Sequence, residues 1–275
     1  MKDNEYPYYF SLIELGKYDD IKFALEVPSE KAILRDLRFI SQAITLKNEP
    51  IASLLLSLWD NLSLSPSDQK AKANLYTKSA LNGLLSLVKQ FNSDFDIALE
   101  SNLTAFKYSI VNDDVPMTKF LLSGPLREFD ARKLPIDEVG AFSSNEQIEL
   151  VINHGADVNY ADGRPLIGAI QKERVASILC LLELGADPYL NDNSPFKHAS
   201  VLNTSQPLET LISHCNSLDR EGNPFKTRKW MASEVCRAVL LSHEVGSCLQ
   251  SVLNEGFKIN IGNTLNIPKP SDLTR

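Results

Sequence analysis

The segment Gly155-Ala156-Asp157-Val158-Asn159 recurs thirty residues later as Gly185-Ala186-Asp187-Pro188-Tyr189. Eight residues after each Asp stands a proline, Pro165 and Pro195, so the phase holds through the whole unit. Stepping back by the same interval reaches Pro135 and then Ala105, within Thr104-Ala105-Phe106. Four consecutive units on one period constrain the fold strongly. A repeat this short cannot bury its own apolar face, so like elements must stack on like.

Each unit has the same internal plan. Pro165 to Ile170 reads as a short helix with Pro in its first turn, where a missing N–H costs nothing. Lys172-Glu173-Arg174 breaks it, and Val175 to Leu184 (VASILCLLEL) forms a second helix, apolar around most of its circumference. Gly185 then supplies the left-handed residue that lets the chain leave the helix. Small residues four after the Pro position, at Ser109, Ala169 and Ala199, allow the helices to approach closely. The predicted fold class is all-α, a stack of helical hairpins with short connecting loops.

These residues resemble the ankyrin repeats, best over Pro165 to Asp187, with fragments in Thr104, Lys119-Phe120-Leu121-Leu122, Ile148 to Asp157, and Ser194-Pro195-Phe196. The period is thirty instead of the family's usual ~33, because the stretch between Asp and Pro is shortened, so the hairpin fingers should be stubby. The family's His two residues after Pro is replaced by Lys107, Asp137, Ile167 and Lys197.

Outside the phased block, helix–turn–helix junctions of the same type are expected at Leu15 to Phe23, at Lys47-Asn48-Glu49-Pro50, and near Asn82-Gly83. Asn223-Pro224-Phe225-Lys226 echoes Ser194-Pro195-Phe196-Lys197, and Leu249 to Asn260 echoes a second helix. About eight helical pairs result. The expected organisation is degenerate ankyrin-like pairs over 1–100, phased repeats over 101–215, a C-terminal capping unit with an elongated first helix over 216–262, and a tail over 263–275.

Composition narrows the function. With 28 Lys+Arg against 35 Asp+Glu the net charge is −7, which repels an extended anionic backbone, so nucleic acid is not expected as a partner. Four Cys, three of them within the last 61 residues, do not make a disulfide framework and fit a reducing compartment. No stretch approaches the ~18 apolar residues of a membrane span, and Met1 to Phe10 carries no apolar run like that of a secretory signal.

Signatures of chemistry are thin. The sequence has no Gly-rich phosphate loop, no His-Glu-x-x-His and no Cys-x-x-Cys. His214-Cys215 places a Cys where neighbouring units have Gly after the second helix. Cys180 lies among leucines as a small core residue. Cys236, His243 and Cys248 match no zinc spacing and read as core. Asp19-Asp20 and Asp113-Asp114 read as solvated turn acids, and Asp157 and Asp187 as backbone acceptors at the finger. Lys226, Arg228 and Lys229 beside Trp230 suit either an acidic patch on a partner or an ordinary solvated face. No cofactor, metal or catalytic residue is assigned.

The resemblance implies a concave wall of first helices and fingers that holds another protein. Carried over unit by unit, the family's contact positions nominate Asp130 and Lys133, Phe142, Tyr160, Gln171 and Lys172, Leu190 and Asn193, Leu202, Arg220, Trp230 and Met231. Phe142, Tyr160, Leu202, Trp230 and Met231 are bulky or apolar at solvent-facing positions, as interface anchors are. The expected function is a non-enzymatic adaptor or inhibitor that binds a partner protein as a monomer, in the cytoplasm. Analogy with bacterial and viral ankyrin proteins adds a host-directed effector delivered into a host cytoplasm. The alternative is an enzyme or effector whose site is hidden in the first 100 residues or lies outside this chain.

Overall fold

The computed structural model describes residues 6–59, 66–200, 202, 204 and 206–220; for residues 6, 66–68, 192, 193, 200, 212 and 215–220 it describes the backbone alone. Among the described residues the chain is all-helical, with no β-strand. It divides into two units, Met1–Ile136 and Asp137–Arg275.

The first unit holds α1 (Tyr6–Glu14), α2 (Tyr18–Ala24), α3 (Pro28–Leu34), α4 (Leu37–Thr45), α5 (Glu49–Leu56), α6 (Pro66–Leu81), α7 (Leu85–Asp94), α8 (Leu99–Val111) and α9 (Val115–Ser123). Apart from α3, these pair as hairpins. First helices pack on first helices, α1 on α4, α4 on α6 and α6 on α8, while α2 packs on α5 and α5 on α7. The second unit holds α10 (Val139–Phe142), α11 (Asn145–Asn153), α12 (Tyr160–Gln171), α13 (Val175–Glu183), α14 (Leu190–Ser200) and α15 (Gln206–Arg220). There α12 packs on both α10 and α14, and α13 on both α11 and α15.

One turn recurs between paired helices. Gly16, Lys47, Gly83, Asp113 and Glu173 all take left-handed backbone, with φ between 54° and 73°. Each donates its N–H three residues back, and the next residue donates five back: Lys17 to Leu12, Asn48 to Ala43, Leu84 to Ser79, Asp114 to Ser109 and Arg174 to Ala169, at 2.8–3.0 Å. This double closure satisfies the last carbonyls of the first helix and reverses the chain. Asn48 and Asp114 then cap the second helix by accepting the N–H groups of Ile51 and Met117.

Only glycine is free of the Cβ penalty at such a turn. Replacing exposed Lys47 by Gly should therefore raise stability by about 1 kcal/mol, and Gly83→Ala should lower it by about as much. Nothing crowds a methyl at Gly83, whose nearest neighbour would be Asp114 Oδ2 at 3.7 Å, so the cost there is conformational. Urea titrations of the two variants check both signs.

Counting back from the turn aligns the core. Seven residues before it stand Tyr9, Ile40, Tyr76, Phe106, Ile136, Leu166 and Phe196, all buried. One position earlier are Tyr8, Phe39, Leu75, Ala105, Pro135, Pro165 and Pro195, so the phased column reaches back to the first hairpin. Small side chains occupy much of a third column, at Ala43, Ser79, Ser109, Ala169 and Ala199, each fully buried. Ser109 Oγ lies 2.8 Å from Thr118 Oγ1 across its hairpin.

The hairpin of α10 departs from this pattern. Ser143, at the turn position, is extended (φ −84°, ψ 149°), and α10 has four residues. Gly140 there lets the backbones of α10 and α12 touch: a Cβ on it would lie 1.9 Å from the Pro165 carbonyl oxygen.

Second helices end on a shared closure as well. Leu126, Ala156 and Ala186 donate five residues back to Leu121, Val151 and Leu181. Gly155 and Gly185 make this closure with positive φ, at 107° and 96°. In the preceding unit Pro125 takes the glycine's position, and the same five-back bond forms after Gly124 at φ −117°.

Candidate functional site

The loop between hairpins in the second unit is built by Asp157 and Asp187. Their Oδ1 atoms accept the N–H groups of Asn159 and Tyr189, two residues on, at 3.0 and 2.9 Å. Asn159 Oδ1 in turn accepts the Asp187 N–H at 2.8 Å, joining one loop to the next. The chain then makes a left-handed turn through Ala161, Asp162 and Gly163, with Asn191 repeating it thirty residues later, and runs straight into the helix. No finger strand forms among the described residues, in keeping with the shortened stretch between Asp and Pro.

The ends of consecutive first helices lie side by side. Phe142, at the end of α10, is 40% exposed. The Lys172 ammonium, just beyond α12, stands 5.6 Å from the Phe142 ring centroid, within cation–π range. Gln171 Nε2 lies 3.3 Å from His198 Nδ1 on α14. Thus three exposed nominated residues, with half-buried His198, form one surface row of an aromatic ring, a cation, an amide and an imidazole. Arg174 anchors the row from below by donating to the Ser143 carbonyl at 2.7 Å.

The other nominated residues are spread more widely. Tyr160 and Leu190 are half-buried at the left-handed loops, and Leu190 covers Gly163. Leu202 is half-buried as well. Asp130 and Lys133 belong to the first unit. There Asp130 accepts from the Arg132 guanidinium at 3.1 Å, which holds its carboxyl below the usual range, and Lys133 Nζ lies 3.9 Å away. For Asn193 and Arg220 only the backbone is described. Trp230 and Met231 lie outside the described residues, as do the basic cluster beside them, Cys236, His243 and Cys248.

Sequence reasoning missed the first unit's share of this pattern. Leu15, Leu46, Leu81 and Val111 are exposed one or two positions before the left-handed turn, the places held by Gln171 and Lys172 in the second unit. The signal was available by aligning on the turn residue instead of on proline. Asn112 Nδ2 donates to the Leu81 carbonyl at 2.8 Å and links two of these edges.

The residues weighed for chemistry fall into structural places. Cys180 is buried, and burial pushes its thiol up, away from the reactive thiolate. His214 is half-buried in α15, which lowers its imidazole below the usual value. Asp19 and Asp20 occupy the first turn of α2. Among the described residues no three His, Cys, Asp or Glu side chains gather as a metal site, and no helix is long and apolar enough to cross a membrane. Within the first hundred residues a cavity of about 380 Å³ is lined by Gln69, Lys72, Asp94, Phe95, Asp96 and neighbours. Lys72 is 3% exposed, with its ammonium 3.1 Å from the Phe95 ring centroid. Comparison with known proteins finds no matching family model, no similar curated protein and no similar solved structure.

Proposed function

We propose that this chain is a non-enzymatic, ankyrin-like repeat protein that binds a partner protein along the edge formed by its first-helix ends and loops, as an adaptor or inhibitor. The observation that carries the reading is the surface row of exposed Phe142, Lys172 and Gln171 with half-buried His198, at the ends of three successive first helices. An aromatic ring capped by a cation, flanked by hydrogen-bonding groups and held on rigid helices, is the kind of anchor that dominates protein interfaces. It costs little to order because the side chains already touch one another.

Replacing Phe142 by Ala together with Lys172→Glu should lower partner capture by at least about tenfold, as expected for the loss of an interface anchor. Helical content should stay unchanged and the melting temperature should fall only slightly, because Lys172 is exposed and Phe142 is partly so. Affinity capture from lysates of candidate cells, quantified by mass spectrometry for the parent and double-variant chains, checks this. Equal recovery of every captured protein by the two chains would remove the site. Delivery into a host cell is part of the same proposal, and a partner specific to host lysates would support it.

A further inference from the structure

A stack of hairpins has two end faces, and a stable stack presents a polar one to water. In the first unit the leading face, the side each hairpin turns to its predecessor, can be read from the inner hairpins. Phe39, eight residues before its turn, is buried against the rings of Phe10 and Tyr9 of the preceding hairpin, at centroid distances of 4.7 and 6.0 Å. On the second helices, the residue seven after the turn makes the equivalent contact. Gln90 accepts from Ser53 of the preceding hairpin at 2.6 Å, and the Phe120 ring lies 5.8 Å from Lys89 of the preceding hairpin.

In the hairpin of α1 and α2 those two positions are held by Tyr8 and Phe23. No described segment covers them: Tyr8 is 59% exposed and Phe23 is 69% exposed. The leading face of this hairpin is therefore aromatic and exposed among the described residues. We infer that it is a self-association surface, closed by the same face of a second copy of this chain across a two-fold axis.

Two features favour a second copy. Taking ~200 Å² for each of these two rings, the exposed fractions leave about 250 Å² of mostly apolar surface per copy, enough for the centre of a small interface that fills only at high concentration. The rim also carries both signs, with exposed Asp19, Lys22 and Glu26, so a two-fold can set acid against base. The chain already closes this kind of face with its own aromatic rings, and a second copy offers the same chemistry.

Sedimentation of the full 275-residue chain from micromolar to near-millimolar concentration tests the inference. The parent chain should pass from monomer to dimer and stop there. Tyr8→Glu with Phe23→Glu should weaken the dimer by at least about 100-fold, since a two-fold interface would then bury four carboxylates against one another. At concentrations where the parent is monomeric, circular dichroism and melting should stay close to the parent's, because both side chains are mostly exposed in the single chain. Phe142→Glu should leave the dimer intact, which separates this face from the proposed partner edge. A parent chain that stays monomeric throughout, a dimer indifferent to the double variant, or open-ended growth beyond the dimer would each overturn the inference.

Discussion

Gly140→Ala should cost at least about 3 kcal/mol, near the top of the range for overpacking by one methyl group. The reason is contact between backbones. A Cβ on Gly140 would lie 1.9 Å from the Pro165 carbonyl oxygen, 2.9 Å from its carbon and 3.1 Å from Ala169 Cβ. No flexible side chain can yield there, so α10 and α12 must move apart. Repeat statistics point the other way. The equivalent residue is Ile13, Ile44, Ala80, Ile110 or Ile170 in other hairpins, and a consensus argument would place isoleucine at 140 as a stabilising change. The geometry makes that variant worse than alanine. Gly168 is a fitting control: its Cβ would meet Ala141 at 3.3–3.4 Å, a contact that a few tenths of an ångström relieve. Urea titrations should place Gly140→Ala far below the parent and Gly168→Ala within about 1 kcal/mol of it.

Alkaline pH should unlock the first unit through Tyr76. Its ring is fully buried, its hydroxyl donates to Asn102 Oδ1 at 2.6 Å, and Asn92 Nδ2 donates to it at 3.1 Å. Burial, partly offset by the Asn92 bond, pushes the phenol from 10 up to about 12. A raised folded value means that the neutral form is the one the fold favours. The resulting stability is complete below pH 10 and drains away as pH climbs toward 12. By linkage the loss reaches about 2–3 kcal/mol. Tyr76→Phe should flatten that part of the stability profile. Near neutral pH it should cost about 1–3 kcal/mol, because Asn102 is buried and its oxygen loses a donor. Denaturation midpoints of parent and variant at neutral and alkaline pH check both effects. A parallel decline of the two chains above pH 10 would contradict the assignment.

Much of the helical order was legible because it rests on local chemistry. The break at Lys172-Glu173-Arg174 and the glycines at 155 and 185 are turns whose backbone requirement shows in residue type. Asp157 and Asp187 announced their loops for the same reason. The earlier hairpins were harder to place. Their turn residues, Gly16, Lys47 and Gly83, stand 31 and 36 residues apart, and the longer step contains the stretch between α5 and α6. At the proline position they carry Tyr8, Phe39 and Leu75, which satisfy the same packing without the same letter. The truncation of α10 was hidden because it depends on how closely α12 approaches, a tertiary fact.

For the candidate site, sequence reasoning placed Phe142, Gln171 and Lys172 at the ends of first helices, but not their mutual contacts. Those arise from neighbours about thirty residues apart, as in the approach of Lys172 to the Phe142 ring. His198 joins them for the same reason and could be nominated only once α14 lay beside α12.

The most direct test of the repeating plan is removal of one full period, Leu84–Asp113, which joins Gly83 to Asp114. The cut takes out α7 and α8, keeps the left-handed turn and the Asp114 cap, and sets Ser79 opposite Thr118 in the place of Ser109. The shortened chain should stay soluble, keep its helical content per residue and unfold in one cooperative transition at lower denaturant. Loss of cooperative unfolding, or behaviour no better than a deletion of similar length cut out of phase, would contradict the account.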